Sequence, residues 1–329
     1  MRWILIFILS TSLLFLSGCM PEGEIEKITE KFKGQYKELD YNQVYTFYNE
    51  KKFEEADEMI SQYLEKHSDD VNALCEKAYV LIELDKNEEA ILLIDKLLHK
   101  KPKDDYLLAN KSWAYNNLGA YELALKAAEE ALSIEEVDEY EFIQKADALY
   151  GLGRYEEALE YYTLAINRNN TLYYAYYGRG LCLAINEDYE NALYSFKMAY
   201  EGNPLGSYYD IVDCLKNLER YEEIVKEAAK IIELYPDNAD AHFDTAEAYK
   251  NLGDFDTALK YYDKVIELST YTAHVWHEKY LIYLQLKDKE NAYKCIKRAL
   301  GEDPKRLYYM DTKQLFDELY EADKDLSVQ

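Results

Sequence analysis

Proline, glycine, histidine and positive charge are all scarce in this chain. Five prolines and twelve glycines in 329 residues leave little material for long loops, which suits helices joined by short turns. Thirty-eight lysines and arginines face 64 acids, a formal net charge of −26. Such a chain is a poor general ligand for nucleic-acid backbones or bare anionic lipid, and nucleic acid is not an expected partner. The five cysteines, Cys19, Cys75, Cys182, Cys214 and Cys295, are odd in number, widely spaced and without a CxxC pair. That pattern excludes a disulfide framework, a zinc ribbon and a thioredoxin-type redox site. No GxxxxGK[ST] run and no GxSxG run occurs, so a phosphate-cradling loop and a serine nucleophile both lack support. Of the five histidines, His67 and His99 stand near helix ends, where a cation suits the helix dipole. His274 and His277, three apart, are the pair that could bind a metal with Asp240 or Glu247. Nothing else favours that reading. No catalytic set emerges, no cofactor or metal is called for, and the chain is not expected to be an enzyme.

What is present begins with an address. After Met1-Arg2 comes an apolar run from Trp3 to Leu16, then Ser17-Gly18-Cys19. The run, at about 14 residues, falls short of the ~20 that span a bilayer as a helix, and its flanks are those of a signal peptide. Leu16-Ser17-Gly18-Cys19 resembles the bacterial lipoprotein box. The resemblance implies transfer of a diacylglyceryl group to the Cys19 thiol and cleavage before it, with residues 1–18 removed. Two or three acyl chains on one residue give stable anchoring, so the expected location is the extracytoplasmic face of a bacterial membrane. Residues 19–36 form a short tether. Ile25, Ile28, Phe32, Tyr36 and Leu39 recur at helical steps there.

The apolar content of 49% is ample for a core, and self-similarity at a fixed period shows how that core is organised. Phe53, Asn87, Tyr121, Tyr155, Tyr189, Tyr221, Phe255 and Lys289 are spaced by 34 residues, with one step of 32 between Tyr189 and Tyr221. Three residues after each stands a small residue: Ala56, Ala90, Ala124, Ala158, Ala192, Ala258 and Ala292, with Ile224 as the exception. Nine residues before lies a second small column, Ala78, Ser112, Ala146, Gly180 and Ala246, broken by Val44, Val212 and Tyr280. Pro102, Pro204, Pro236 and Pro304 close their repeats. Leu118-Gly119-Ala120-Tyr121-Glu122-Leu123-Ala124, Leu152-Gly153-Arg154-Tyr155-Glu156-Glu157-Ala158 and Leu252-Gly253-Asp254-Phe255 are the clearest copies.

These residues resemble the tetratricopeptide repeat. The resemblance implies an all-α, right-handed superhelical solenoid of about eight helical hairpins over residues 37–304. Residues 305–329 would supply a capping helix and a polar tail. The physics agrees independently. Each pair of amphipathic helices cannot bury its apolar faces alone, so neighbours must stack. Small columns let the two helices of a hairpin approach, and Leu74, Leu108, Phe142, Tyr176 and Trp276 fill the space between repeats. Gly119, Gly153 and Gly253 supply positive φ at the helix end. The 32-residue step and Ile224 mark a local irregularity between the fifth and sixth repeats. Cys182 and Cys214 share a repeat position, which leaves one disulfide open.

In this family the first helix of each hairpin lines a concave, ligand-binding surface. Carried over, that register selects Tyr45, Tyr48, Tyr79, Tyr106, Trp113, Asn116, Asn117, Tyr150, Tyr177 and Tyr209, with Tyr140 and Tyr174. The acids Glu38, Glu83, Asp147, Asp213, Asp240 and Glu247 fall on the same face. Tyrosine offers contact area at low rotamer cost, and asparagine can pair with a peptide backbone. An aromatic, mildly acidic groove suits a peptide with apolar and basic residues. Tyrosine is common everywhere in the chain, however, as at Tyr161, Tyr162, Tyr261 and Tyr262. The column Lys77, Lys111, Lys145, Arg179 and Lys279 is expected to pack its stems between helices and pair its heads with carboxylates. The lysine and asparagine clamp of chaperone-binding members is missing, since Tyr41, Tyr45, Cys75 and Tyr79 stand at its positions. The expected function is a membrane-anchored adaptor for a protein or peptide partner. The alternatives are capture of an oligosaccharide or other polymer, or a structural role in an envelope machine.

Overall fold

The computed structural model describes residues 39–134 and 138–302. The leader, Cys19, the tether, Glu38 and the proposed capping helix lie outside the described residues. Within them the chain forms sixteen α-helices and no strand. These are α1 (Tyr41–Asn49), α2 (Phe53–Leu64), α3 (Val71–Glu83), α4 (Asn87–Lys100), α5 (Asp105–Asn117), α6 (Tyr121–Leu132), α7 (Glu139–Gly151) and α8 (Tyr155–Arg168). They continue as α9 (Tyr173–Ile185), α10 (Tyr189–Ala199), α11 (Pro204–Asn217), α12 (Tyr221–Leu234), α13 (Ala239–Asn251), α14 (Phe255–Leu268), α15 (Ala273–Gln285) and α16 (Lys289–Glu302). The sixteen helices are the two per repeat that the 34-residue period predicts over eight repeats. They fall into two compact units, the first running to Leu118 with α1–α5 and the second starting at Gly119 with α6–α16.

Every hairpin turns the same way locally. Two residues before each periodic turn residue the backbone has positive φ: Lys51, Asp85, Gly119, Gly153, Glu187, Glu219, Gly253 and Lys287. The residue that follows commonly donates its N–H across the turn, as in Lys52 to Phe47 O, Arg154 to Leu149 O and Asp254 to Tyr249 O. That six-to-one bond satisfies a carbonyl the helix end would otherwise orphan. The expected glycines therefore account for three of the turns, while lysine, aspartate and glutamate adopt the same conformation in five. Six of the eight first helices start on side-chain caps, with Asp40, Asp70, Asp104, Asp138, Asn203 and Asn238 accepting from the first-turn amides.

Packing follows the small columns, with compensations where they fail. In the fifth hairpin Gly180 lies under Phe196, and a Cβ on the glycine would come within 2.7 Å of the ring. One repeat on, Val212 and Ile224 occupy the small positions, and Ala228 stands where Phe196 stood. Volume is conserved while its distribution is reversed, which cores tolerate best. Gly178 does the same between repeats, since its missing side chain makes room for the Tyr162 ring. The 32-residue step is taken up by α10, which at 11 residues is shorter than the 14 of α8, α12 and α14. Pro204 then opens α11, capped by Asn203.

Two expectations about side chains resolve here. Cys182 and Cys214 are buried and free, as are Cys295 and the half-buried Cys75, so the disulfide left open by the register is absent. Burial pushes the thiols of Cys182 and Cys214 up to about 12, which leaves them poor thiolates. The basic column packs as expected. Lys111 reaches Asp95 at 2.7 Å and Lys145 reaches Glu129 at 3.1 Å. Lys77 pairs with Asp57 and Ser61, and Lys279 with Asp263. Each ties a first helix to the second helix of the preceding hairpin. Arg179 would meet Thr163 there instead of an acid. It turns forward to the Ser195 hydroxyl at 3.1 Å and lies over the Tyr176 ring at 5.0 Å.

Candidate functional site

In the first unit the selected tyrosines converge. Equivalent positions on α1, α3 and α5 carry Tyr45, Tyr79 and Trp113, and Tyr48 lies one turn beyond Tyr45. Ring centroids step from Tyr41 to Tyr45 at 6.3 Å, to Tyr48 at 5.8 Å, to Tyr79 at 4.9 Å and to Trp113 at 5.7 Å. The result is a continuous ladder of rings across three first helices, with tilted and edge-on geometries favoured by the ring quadrupole. Glu76, absent from the sequence-selected set, accepts the hydroxyls of Tyr45 at 3.1 Å and Tyr48 at 3.2 Å. Burial, followed by the Glu76 charge, holds the Tyr48 phenol far above its ordinary value. Tyr79 donates to Glu83 at 2.9 Å. The tyrosine hydroxyls are thus tied down. Tyr45 and Tyr106 remain 43% exposed, whereas Tyr48, Tyr79 and Trp113 are half-buried.

Asn117 is engaged differently from the expectation that it pairs with a peptide. Its side-chain amide donates to Asn87 at 3.1 Å, and buried Asn87 donates in turn to Asp85 at 2.7 Å. This network explains why asparagine replaces the aromatic residue at the second turn. Asn116, half-buried, precedes it on α5.

The second unit uses the same register for a different purpose. The position held by Tyr45, Tyr79 and Trp113 becomes Asp147, Asp213 and Glu247 on α7, α11 and α13, and leucine (Leu181, Leu281) on α9 and α15. Asp147 accepts the hydroxyls of Tyr162 and Tyr174. Burial raises its carboxyl from 3.8 to about 7, against the opposing pull of those two bonds. Burial pushes the Tyr177 phenol up to about 12, and the neighbouring Asp210 carboxylate adds to the shift. Tyr209, 39% exposed, donates to Asp240 at 3.1 Å. Tyr208, fully buried, donates to Asp244 at 2.9 Å, and Lys216 completes that carboxylate at 2.8 Å. Further on, Lys250 bridges Glu247 at 2.7 Å and Glu278 at 2.6 Å, while Tyr262 also donates to Glu247. Tyr150 packs edge-on against Tyr155 at 5.3 Å.

Sequence reasoning missed the carboxylates at one recurring position, eleven residues before each turn residue. Glu76, Asp244 and Glu278 each accept from the preceding first helix, and Asp210 holds the same position beside Tyr177. A spacing of 28 residues links Tyr48 to Glu76, Lys216 to Asp244 and Lys250 to Glu278, so the signal was periodic. Of the suggested metal ligands, His274 lies against Phe243 and Tyr271 and His277 beside Glu278. Among the described residues no group of three or more His, Cys, Asp or Glu could hold a metal ion.

Tetratricopeptide-repeat sequence models match residues 41–105, 106–138, 143–207, 205–238, 228–260 and 273–306. The chain belongs to the tetratricopeptide-repeat family. Its repeats are similar in fold to the C-terminal part of a repeat-containing protein from Cytophaga hutchinsonii, at a TM-score of 0.61 and 22% identity, over 72% of this chain and 98% of that one. They are also similar to a chain of the APC/C hetero-tetramer Cut9–Hcn1, at a TM-score of 0.50 and 16% identity, over 91% of this chain and 60% of that one. No curated protein matches the chain. Members of the family are typically interaction scaffolds rather than enzymes, and the repeats here build a protein-interaction scaffold. Among the described residues no helix is long and apolar enough to cross a membrane.

Proposed function

We propose that this protein is a lipid-anchored adaptor of the bacterial cell envelope that binds a protein or peptide on the face of its first helices. The observation that carries the reading is the ring ladder of Tyr45, Tyr48, Tyr79 and Trp113, a large, rigid aromatic surface backed by fixed carboxylates. Aromatic anchors of that kind dominate protein interfaces. The anchor is supported by Leu16-Ser17-Gly18-Cys19 behind a short apolar run. It would hold the repeats near the outer surface of a membrane with a tether of fewer than two dozen residues.

Two measurements test this. A photo-reactive residue replacing Trp113 should capture one protein in cells, while the same residue at Glu160, on the exposed side of α8, should not. Capture from Glu160 alone would move the interface to the outer side and favour a structural role. Capture from neither would favour a non-protein polymer. Separately, metabolically supplied palmitate should label the wild type and not Cys19→Ser. Equal labelling would remove the anchor.

A further inference from the structure

The first-unit face is aromatic and acidic, and its cations are committed elsewhere. Lys77 is the only lysine or arginine on α3, Lys111 the only one on α5, and α1 has none. Lys77 is held by Asp57 and Ser61 on α2, and Lys111 by Asp95 on α4. On the ladder side stand Glu76 and Glu83, each accepting a tyrosine hydroxyl of the ladder. Those bonds fix the phenol tips on carboxylates, so the solvent-facing parts of exposed Tyr45 and half-buried Tyr48, Tyr79 and Trp113 form the recognition surface. A guanidinium or ammonium over such rings is attracted by the ring quadrupole, and a carboxylate beside the ring adds to it. The chain already uses this chemistry internally, with Lys145 over Tyr161 at 4.5 Å, Arg179 over Tyr176 at 5.0 Å and Lys279 over Trp276 at 5.1 Å. The formal charge of −26 steers cations towards the protein at long range.

Charge rather than register selects the ligand: ring centroids 5.8, 4.9 and 5.7 Å apart from Tyr45 to Tyr48, Tyr79 and Trp113 are closer than the roughly 6.5–7 Å between alternate side chains of an extended chain. We propose that this ladder recognises a polypeptide segment rich in arginine or lysine, its cationic heads lying against the aromatic surface of Tyr45, Tyr48, Tyr79 and Trp113 beside Glu76. The inference rests on the first-helix face being the binding face and names the chemistry of its partner.

The test uses the full chain and two labelled nonapeptides at physiological salt, followed by fluorescence anisotropy. One peptide alternates arginine with threonine. The other carries citrulline, a neutral near-isostere, at every arginine. The arginine peptide should bind at least tenfold tighter. Glu76→Gln and Trp113→Leu should each weaken it about fivefold or more, and Trp113→Tyr, which keeps a ring, should restore most of the loss. The double variant Glu88→Gln, Glu89→Gln, on the exposed start of α4, should stay within twofold. Equal binding of the citrulline peptide overturns the proposal. So does a loss in the Glu88/Glu89 variant as large as that of Glu76→Gln, because diffuse charge attraction would then account for binding. If Trp113 captures a protein in cells but citrulline costs nothing, the adaptor reading stands and the cationic ligand fails. If citrulline is rejected but nothing is captured, the adaptor reading is the one that fails.

Discussion

The two units spend the same repeat position on opposite physics. Tyr45, Tyr79 and Trp113 in the first unit stack into a ladder, whereas in the second unit three of the five first helices carry a carboxylate there, Asp147, Asp213 and Glu247, and the other two a leucine. Several tyrosines of the second unit are instead tied to acids, Tyr162 to Asp147, Tyr208 to Asp244 and Tyr209 to Asp240. Residues facing solvent on the first helices are free to diverge because the hairpins are held by other columns. The first unit has turned that freedom into contact area, and the second into polar clasps between repeats.

The largest expected effect separates clasp from ladder. Asp244→Ala strips the partner from the buried Tyr208 hydroxyl and from Lys216, and should cost about 3 kcal/mol. Glu76→Ala, whose tyrosine partners reach solvent, should cost under about 1 kcal/mol. Urea unfolding of both variants measures the contrast, and equal losses would erase the distinction drawn here. Next comes Gly178→Ala. Its Cβ would lie 2.3 Å from Tyr162 Cζ, and overpacking of that kind costs about 2 kcal/mol. Tyr162→Leu in the same chain should recover part of it. Third, Lys51→Gly and Glu219→Gly should each stabilise by about 1 kcal/mol, because both residues hold positive φ. One gain lies in each unit, and equal gains would show that the turns are common to both while the faces are not.

The smallest change at neutral pH concerns the raised carboxyls of the second unit. Burial lifts Asp147 from 3.8, and Glu141 from 4.5, to about 7. The folded chain therefore holds more protons than the unfolded one between the ordinary carboxyl values and about 7. Stability should fall as pH rises through that window and level off above it. Asp147→Asn should remove its share, so the variant gains on the wild type between pH 5 and 8. Melting temperatures across that range check the sign. A parallel pair of curves would show that Asp147 is ionised throughout.

Much of the architecture was legible because steric demands repeat. Alanine three residues past each turn and glycine or alanine nine before it could be counted, and the hairpins followed. The five turns without glycine were not legible. A left-handed lysine or glutamate costs only about 1–2 kcal/mol, which the cross-turn hydrogen bond and flanking packing offset, so no residue type marks the site. The face was half legible. The register implied by the family resemblance put Tyr45, Tyr48, Tyr79 and Trp113 on one face, whereas the 28-residue spacing that ties Glu76 to Tyr48 stands out only once the contacts are known. The partners of Glu76 lie a repeat away, and 64 acids in the chain conceal any single one. The bond from Asn117 to Asn87 was hidden for a related reason, since Asn87 reads in the sequence as a turn marker.

The uniform turn has a mechanical side. Each left-handed residue closes a segment of 34 residues, or 32 at one step, that is stapled to its neighbours chiefly by lateral contacts. Pulled from its ends, such a chain should lengthen in quanta. A released segment of 34 residues spans roughly 110–120 Å when extended, and the 32-residue step should yield slightly less. A protein tethered at one end and loaded at the other would then absorb tension in graded increments, as a spring with detents, before any whole unit is lost.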